Sequence, residues 1–406
     1  MAYSGHELIG IGKQSALGTA ATTYANVVTD GSFSATENVT AINQKGRRGF
    51  SEAMDFNQYY GRGSTDISFG GAVELQQTTS ETRGSILGIL LRNILGSGPV
   101  GTTAASSGIY KVATNSTTTA DYWFRLARNA KEYLTVAQRL TAESTGDKQV
   151  KDARVTNITI TADPESVLSY TATLIGQPAT IGSADGEGVT LAENTTTFVP
   201  MKEPNTFSGL ELGASTATSA AIGQIGEASH VKAGLVLPDG AGSFINLSGT
   251  GGGVLSCEWS FTREATPVYT MDTKTAVNRG QYNDILLGPL EVTCSFVFYA
   301  KKNITQIFRG QGNGAVFNSC QKGTANSVSE RGVTIGARKV SFAEGGMEID
   351  SSATYATIAL SGRALWTDST TSNATSAPLS NTAYTSGTPV EVQLTEAGTS
   401  IAYDVA

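Results

Sequence analysis

Strict alternation of apolar and polar residues is the feature that most constrains how this chain can fold. It is clearest from Leu255 to Thr262, where apolar side chains occupy the odd positions and polar side chains the even ones. Successive side chains of a β-strand point to opposite faces, so this pattern predicts a strand with one buried and one solvated face. Similar alternation recurs at 168–174, 290–296 and 390–394. We therefore predict a mainly β fold of antiparallel sheets, a sandwich or half-barrel that buries these apolar stripes.

A single strong helix pattern interrupts the strands. From Ser80 to Leu95 the apolar residues fall at helical spacing, Thr79 or Ser80 can cap the start, and Gly96 supplies a stop. The helix should pack against a sheet. The segment from Trp123 to Thr141 fits either a helix or strands, and we favour strands there.

The order of predicted elements occurs twice along the chain. The segments Ala153 to Gly176 and Ala337 to Gly362 share an Ala-Arg opening, an acidic turn and a Thr-rich closing strand that ends in Gly. Upstream, Ser32 to Val39 resembles Ser260 to Val268, and each is followed by a long polar excursion, predicted as a loop at 43–66 and at 271–288. We interpret this as a tandem duplication, with domains at 1–210 and 211–406, the second including a C-terminal arm. The strands predicted at 390–394 and 401–405 either pair with a sheet edge of a neighbour or close their own domain.

Composition argues against several classes of function. Only 16% of the residues are charged and the formal charge is -7, so the chain as a whole should repel nucleic-acid phosphates. No apolar run approaches the roughly 18–20 residues needed to span a bilayer, and the N-terminus lacks a secretory apolar segment, so neither membrane insertion nor export is expected. Of the three cysteines, Cys257 and Cys294 lie on the apolar side of predicted strands and should be buried free thiols.

No catalytic, cofactor or metal constellation is found in the sequence. Neither of the two histidines, His6 and His230, has metal-ligand spacing. The segment from Leu8 to Thr22, LIGIGKQSALGTAAT, suggests a phosphate-binding loop, but Lys13 is followed by Gln14 and the glycine spacing is wrong. We expect no enzymatic activity, although paired carboxylates of a hydrolase cannot be recognised from spacing alone.

The same N-terminal stretch allows a different interpretation. Gly10 to Val28 followed by Ser32 to Val39 resembles the N-termini of tail tube proteins of long-tailed bacteriophages, in which a glycine-bearing segment and a Gly-Thr pair like Gly18-Thr19 precede the first core strand. The order of first strand, long polar loop, second strand, single helix and hairpin also resembles that family. In this interpretation Gly10, Gly12 and Gly18 serve backbone turns and close subunit approach, and Lys13 serves a protein contact.

The resemblance implies a structural virion protein rather than an enzyme. It would be made in the cytoplasm of the infected host and polymerise as stacked rings into the tail tube, through which double-stranded DNA passes without specific binding. The helix would brace the outer side of the tube. A duplicated chain implies trimeric rings of pseudo-sixfold symmetry, with hexameric rings as the alternative. Tape measure, tail terminator and distal tail proteins are the further partners implied.

By the same resemblance the two long excursions would contact a neighbouring ring or subunit. Arg and Tyr are favoured at buried interfaces, so the candidate contact residues are those types in the two excursions: Arg47, Arg48, Tyr59, Tyr60, Arg62, Arg279 and Tyr282.

Other functions stay open on the sequence alone. A capsid decoration or fibre protein is the first alternative, and a secreted glycan-binding β-sandwich is the second. The basic cluster at 45–48 could bind nucleic acid, but it is short and lacks interleaved aromatic residues.

Overall fold

The structure is a computed structural model of the 406-residue chain. It describes residues 8–22, 24–27, 32–46, 54–75, 84–96, 109–113, 119–127, 132–139, 148–162, 168–181, 198–199, 230–236, 244–246, 254–270, 281–299, 314–322, 331–348, 357–366 and 388–397.

These residues form one helix and many strands, which confirms the predicted mainly β fold. The helix is α1, Ile86–Leu95. The strands of the first half are β1 Leu8–Lys13, β2 Tyr24–Asn26, β3 Ser34–Gly46, β4 Met54–Ala72, β5 Ile109–Ala113, β6 Thr119–Phe124, β7 Leu134–Arg139, β8 Lys148–Ala162, β9 Ser169–Gly176, β10 Thr180–Ile181 and β11 Phe198–Val199. Those of the second half are β12 His230–Val236, β13 Phe244–Asn246, β14 Val254–Val268, β15 Asp284–Tyr299, β16 Gly314–Lys322, β17 Arg331–Glu348, β18 Thr357–Ala364 and β19 Glu391–Ala397.

Strand β8 belongs to two sheets. Its first part, Lys148 to Ala153, pairs with β7 and β10 in a small sheet that continues through β1 and β2. Its second part, Arg154 to Ala162, pairs with β9 and β14 in a large sheet. All of these pairings are antiparallel, as the alternating patterns predict. The strand therefore turns from one layer of the fold into the other near residue 153.

The large sheet runs through both halves of the chain. Its central order is β3-β4-β9-β8-β14-β15-β18-β17, and every adjacent pair in this order is antiparallel. Strand β17 continues into β16 on one side and β19 on the other, and β19 pairs in turn with β6. The predicted halves are thus joined through continuous hydrogen-bonded strands.

One pairing order occurs twice. In the first half it is β2-β1-β7-β8-β9-β4-β3, and in the second it is β13-β12-β16-β17-β18-β15-β14. Beyond this series, β8 also pairs with β10 and β14, and β17 also pairs with β19. Strand for strand, the second series follows the same connectivity as the first.

Helix α1 is buried on all sides. Each of its ten residues is buried, including Arg92 and Asn93, and the helix packs against β8. Packing against a sheet was predicted, but the start was not: Ser85, rather than Thr79 or Ser80, caps the helix by accepting a hydrogen bond from the Gly88 backbone N–H. Gly96 ends the helix as predicted, with φ of 107° that a residue with a side chain would rarely adopt.

The carboxyl end of the helix is held by the second half of the chain. The Arg263 guanidinium of β14 donates to the backbone carbonyl of Ile94 (3.0 Å) and to that of Gly288 (3.0 Å). A cation is favoured at this end because the last carbonyls of a helix carry partial negative charge. The contact fixes the helix relative to the junction of β8 and β14.

The structure corrects one predicted segment and decides between the two interpretations of another. The excursion predicted as a loop at 43–66 is largely a β-hairpin, because β3 extends to residue 46 and β4 begins at residue 54. Strand β19, which includes Val390 to Leu394 in part, pairs with β17 and β6 of its own chain, so it closes the fold rather than reaching a neighbour. Residues 401–405 and the weak helical stretch at 303–309 lie outside the described residues.

Strand β19 is also fixed to the first half by a buried ion pair. The guanidinium of Arg125 contacts one carboxylate oxygen of Glu391 through Nε and Nη2, both at 2.6 Å, and both side chains are almost fully buried. Removing one partner of such a pair would leave an uncompensated buried charge. This link strengthens the connection between the halves.

The predictions for 123–141 and for the cysteines are confirmed. Strands β6 and β7 cover residues 123–124 and 134–139, no described residue of that segment is helical, and Cys257 and Cys294 are buried free thiols. Burial raises the pKa of Cys294 to about 12, so this thiol stays protonated at neutral pH.

Trp259 lies at the centre of the junction between the halves, and its substitution tests how much that junction contributes to stability. Its side chain is fully buried and meets the Phe296 ring edge to face at 6.3 Å. We expect Trp259→Ala to lower the free energy of unfolding by about 3–5 kcal/mol through the cavity it leaves. Trp259→Phe should cost much less, because it keeps a ring against Phe296 and removes an indole N–H without a hydrogen-bond partner. Urea unfolding followed by circular dichroism measures both, and equal losses would contradict the packing role.

Candidate functional site

The exposed face of the large sheet carries hydroxyl and amide side chains in rows that cross the strands. Directly opposed residues of neighbouring strands share a face, so the pairing register defines each row. One row runs Ser34, Ser68, Thr173, Asn157, Thr262 and Glu291, and a second runs Thr171, Thr159, Ser260, Thr293 and Arg363. We call this surface the hydroxyl face. It continues without interruption from the first half of the chain to the second.

Side-chain hydrogen bonds join the hydroxyl face across the junction between β8 and β14. The Asn157 amide donates to the Thr262 hydroxyl (2.9 Å) and to the Ser260 hydroxyl (3.2 Å). On the neighbouring strands, the hydroxyls of Thr156 and Thr173 lie 2.9 Å apart. These short polar side chains satisfy one another's hydrogen-bonding groups, and none of them carries a charge.

Charged groups on this face are sparse and mostly acidic. Among the side chains that the structure describes there, Asp66, Glu258 and Glu291 are carboxylates and Arg363 is a guanidinium, which lies 3.2 Å from Glu291. Asp66 accepts a hydrogen bond from the Asn38 amide (2.6 Å). The described part of this face is therefore a polar surface of weakly negative character.

Behind this sheet, Asp152 occupies the point where β8 turns between the layers. Its φ of 55° lies in the left-handed region, which Asp tolerates better than most residues. The carboxylate is buried and accepts the backbone N–H of Gly18 (2.7 Å) and the Gln177 amide (3.3 Å). Burial raises the pKa of Asp152, while these hydrogen bonds and Lys151 oppose the rise.

The N-terminal segment Leu8 to Thr22 is hydrogen-bonded to the turn of β8 at Asp152, which we call the corner. The Gln14 side chain, oriented so that donors meet acceptors, donates to the Asp152 carboxylate (2.7 Å) and accepts the Asp152 backbone N–H (2.9 Å). The Thr135 hydroxyl contacts the same amide oxygen (3.0 Å) and accepts the Ala21 backbone N–H (2.9 Å). Gln14 and Gly18, at the two ends of the turn that follows β1, thereby hold this turn against β7 and β8.

Tyr282 attaches the second half to the same corner. Its hydroxyl donates to the Asp152 backbone carbonyl (2.8 Å), and its backbone exchanges two hydrogen bonds with the Gln177 side chain (2.8 and 3.1 Å). The side chain is only 2% exposed, and burial, with Asp152 nearby, raises its pKa. The phenol stays protonated at neutral pH and keeps its donor role.

A second cluster of polar side chains lies around the buried Glu132, next to the corner. Its carboxylate contacts Arg92 of the helix (2.9 Å) and Lys13 of β1 (3.4 Å). Its backbone carbonyl accepts from Arg154 and from Asn93 (2.8 Å). Burial lowers the pKa of Arg154 to about 10, so this guanidinium still carries its charge at neutral pH. Helix, small sheet and corner strand are joined at this group.

Two hairpins extend past the neighbouring strands of the large sheet as two-stranded ribbons. In the first ribbon, residues 54–64 of β4 pair with β3 beyond the last pairing with β9. In the second, residues 263–268 of β14 pair with residues 284–290 of β15 beyond the pairings with β8 and β18. Each ribbon exposes a large apolar side chain: Val39 is 39% and Leu286 is 56% exposed.

Tyr269, which follows the far end of the second ribbon, contacts the base of the first ribbon. Its hydroxyl donates to the Gly63 carbonyl (2.9 Å), and the Arg62 guanidinium lies 5.3 Å above its ring. The Tyr269 ring also meets the Tyr282 ring edge to face at 6.2 Å. A continuous set of contacts thus runs from the first ribbon through Tyr269 and Tyr282 to Asp152.

The candidate contact residues fall into three groups. Arg62 and Tyr282 lie on either side of Tyr269, Arg62 exposed and Tyr282 buried inside its own chain. Tyr59 and Tyr60 lie on β4, paired with Ile42 and Ala41 of β3. Arg47, Arg48 and Arg279 lie outside the described residues. The contacts of these seven residues with another subunit stay predictions.

The structure places one of the three N-terminal glycines predicted to serve backbone turns in a turn. Gly18 does serve a turn, with φ of 78°. Gly10 and Gly12 do not, because both lie inside β1, paired with β7. Sequence reasoning missed the residues to which this segment binds, Asp152 and Thr135, because they lie more than a hundred positions away along the chain.

No arrangement typical of a metal centre occurs in the described part of the chain, where no three His, Cys, Asp or Glu side chains cluster suitably. Within the same residues, no helix is long and apolar enough to cross a membrane. No protein-family model matches the chain, and no curated protein matches it.

Substitutions at Asp152 separate its two contributions to the corner. Asp152→Gly removes the carboxylate's hydrogen bonds but tolerates the positive φ, whereas Asp152→Ala removes them and adds left-handed strain. We expect alanine to destabilise the fold by about 1–2 kcal/mol more than glycine, because a Cβ is unfavourable in that conformation. Urea unfolding of both variants measures the difference, with Asp121→Ala and Asp121→Gly as the matched pair on β6, outside the left-handed region. Equal stability of the two Asp152 variants would contradict the strained corner.

Proposed function

We propose that this chain is a structural subunit that polymerises as stacked rings into the tail tube of a long-tailed bacteriophage, and that the hydroxyl face lines the channel. The observation that carries the proposal is the continuity of this face through both halves of the chain. A surface of hydroxyls, amides and a few carboxylates offers phosphates little cationic charge, since its one described cation, Arg363, is paired with Glu291 at 3.2 Å. Double-stranded DNA would slide along it rather than bind.

The repeated pairing order supports a tandem duplication and hence a trimeric ring. Each half contributes one equivalent series of strands, so three chains would supply six similar units around the channel. The junction of β8 and β14 would then represent one of the six joints, made within a chain. Hexameric rings of whole chains are the alternative, and the mass of the ring decides between the two.

The two ribbons support contacts between subunits or rings. An isolated two-stranded hairpin is at best marginally stable in water. A ribbon that extends beyond its sheet would therefore be stabilised by packing on another protein. Val39 and Leu286 provide apolar surface for such contacts. The Arg and Tyr residues predicted from the sequence lie on or near these ribbons wherever the structure describes them. Residues 36–40 of β3, which are all exposed, extend the same surface.

In the virion the tube would also meet the proteins that set its length and close its ends. The tape measure, tail terminator and distal tail proteins are therefore the proposed partners, the virion tail is the proposed location, and no enzymatic step is required. A decoration or fibre protein, the main alternative, would need no closed ring around a channel.

Electron microscopy of the purified chain, or of particles that carry it, tests the ring directly. We expect stacked rings with a continuous central channel, and a ring mass of three chains by mass photometry after tubes are dissociated. Six chains would contradict the trimer. Compact monomers at every concentration, with no rings in particles, would contradict the tail tube proposal.

Added cations on the hydroxyl face test its place in the channel. We expect tubes of the double variant Thr171→Lys, Thr262→Lys to retain short duplex DNA at low salt, because each lysine on the lumen offers phosphates a partner, and to release it as salt is raised. The matched control is Ser15→Lys, Thr19→Lys, which adds equal charge on the exposed N-terminal turn. Equal retention by both variants, or by neither, would contradict the assignment of this face to the lumen.

A further inference from the structure

We infer that copies of this chain join head to tail by pairing the outer edge of β3 in one copy with the outer edge of residues 341–348 of β17 in the next. This rests on the proposed function and deepens it, because it names the two strand edges that would form each joint between chains. The pairing would be antiparallel and would continue the large sheet from copy to copy.

The first step is the joint that the chain makes with itself. Residues 154–161 of β8 pair with β9 on one edge, and residues 157–162 pair with β14 on the other. Strand β14 in turn pairs with β15 on its inner edge. This internal joint therefore connects the late part of β8 to the outer edge of β14.

The second step uses the repeated pairing order. Strand β17 stands in the second series where β8 stands in the first, and β3 stands in the first series where β14 stands in the second. The joint equivalent to β8 with β14 is thus β17 with β3. Within one chain these two strands lie at opposite ends of the central order β3-β4-β9-β8-β14-β15-β18-β17.

The third step is that both edges are open in the described part of the chain. Residues 341–348 of β17 pair with β18, and the pairing with β16 on the other side ends at Val340. The described pairings of β3 are with β4 alone. Unpaired edges present rows of free N–H and C=O groups that readily accept another strand.

The chemistry of the two edges matches that of the internal joint. Strand β14 brings Ser260 and Thr262 to the hydroxyl face at its joint with β8, and β3 carries Ser34, Thr36 and Asn38 in the same alternation. Residues 36–40 are all exposed. On the other edge, Gly345 and Gly346 place no side chain in the path of an approaching backbone.

The edges differ from one another, so the contact is of the head-to-tail type. Such contacts either close into a ring or continue as an open helix. A chain that already contains one joint of the same kind would make the next joint at a similar rotation, and the ring closes where six such rotations complete one turn about a common axis.

Disulfide trapping between copies tests the pairing. One chain carries a cysteine at Thr36, Asn38 or Thr40, the other at Glu344, Gly346 or Glu348, and the nine mixtures are oxidised after assembly. Directly opposed residues of antiparallel strands have Cα atoms about 4.5–5.5 Å apart, within disulfide reach. We expect covalent dimers of twice the chain mass in the mixtures that match one register, and not in the other mixtures.

Two controls calibrate the result. Thr159→Cys with Ser260→Cys, directly opposed in the internal joint, should form a disulfide within one chain. Ala16→Cys, exposed on the N-terminal turn, mixed with each β17 variant reports random collision. Rings without a trapped dimer in any mixture would overturn the β3–β17 joint and leave the tail tube proposal standing. Trapped dimers that build only open chains would support the joint and overturn the closed ring.

Discussion

Strand β8 is the element on which the rest of the structure depends, because it is the only described strand that belongs to the small sheet, the large sheet and the junction between the halves. To serve all three, it must turn at Asp152, and the turn requires a left-handed backbone in a residue that has a side chain. That conformation is unfavourable for an L-residue. The carboxylate offsets part of the cost, since it gathers donors from the N-terminal segment and from Gln177 into one buried point.

The corner also explains why so many polar groups are buried in a fold with a large apolar core. Asp152, Arg154 and Glu132 are each nearly inaccessible, and each is held by partners from distant parts of the chain. Buried polar groups cost free energy unless they are paired, so they penalise any arrangement that separates the partners. Apolar contacts stabilise the layers here, whereas the polar network fixes how the N-terminal segment, helix, sheets and second half sit against one another.

Local features of the fold were predictable from the sequence. Alternation identified the strands around Trp259 and Cys294, and helical spacing with Gly96 identified the single helix. Both patterns can be recognised within about a dozen residues, because the repeat of a strand or a helix determines which side chains share a face. The helix start was misplaced because several Ser and Thr residues precede the apolar stretch, and nothing local in the sequence distinguishes Ser85 from the others as the cap.

Long-range features were not predictable in the same way. Nothing near Gly18 indicates that its N–H binds Asp152, and nothing near Tyr282 indicates that its phenol turns inward to the same residue. The excursion at 43–66 was interpreted as a loop because its polar composition lacks a buried stripe. Cross-strand hydrogen bonds with β3 make most of it a hairpin, which needs no buried face along its whole length.

The internal joint has a further consequence for assembly. When two units that must meet are carried by one chain, their encounter no longer depends on protein concentration, and the effective concentration is set by the connection between them. The joint between β8 and β14 forms on folding and is reinforced by Arg263 at the helix end and by Tyr282 at the corner. The proposed ring of three chains would need only three joints from solution instead of six. In the proposed ring, the open edges of β3 and β17 would be where one chain adds to the next, and their polar residues would favour a partner that continues the same sheet over non-specific aggregation.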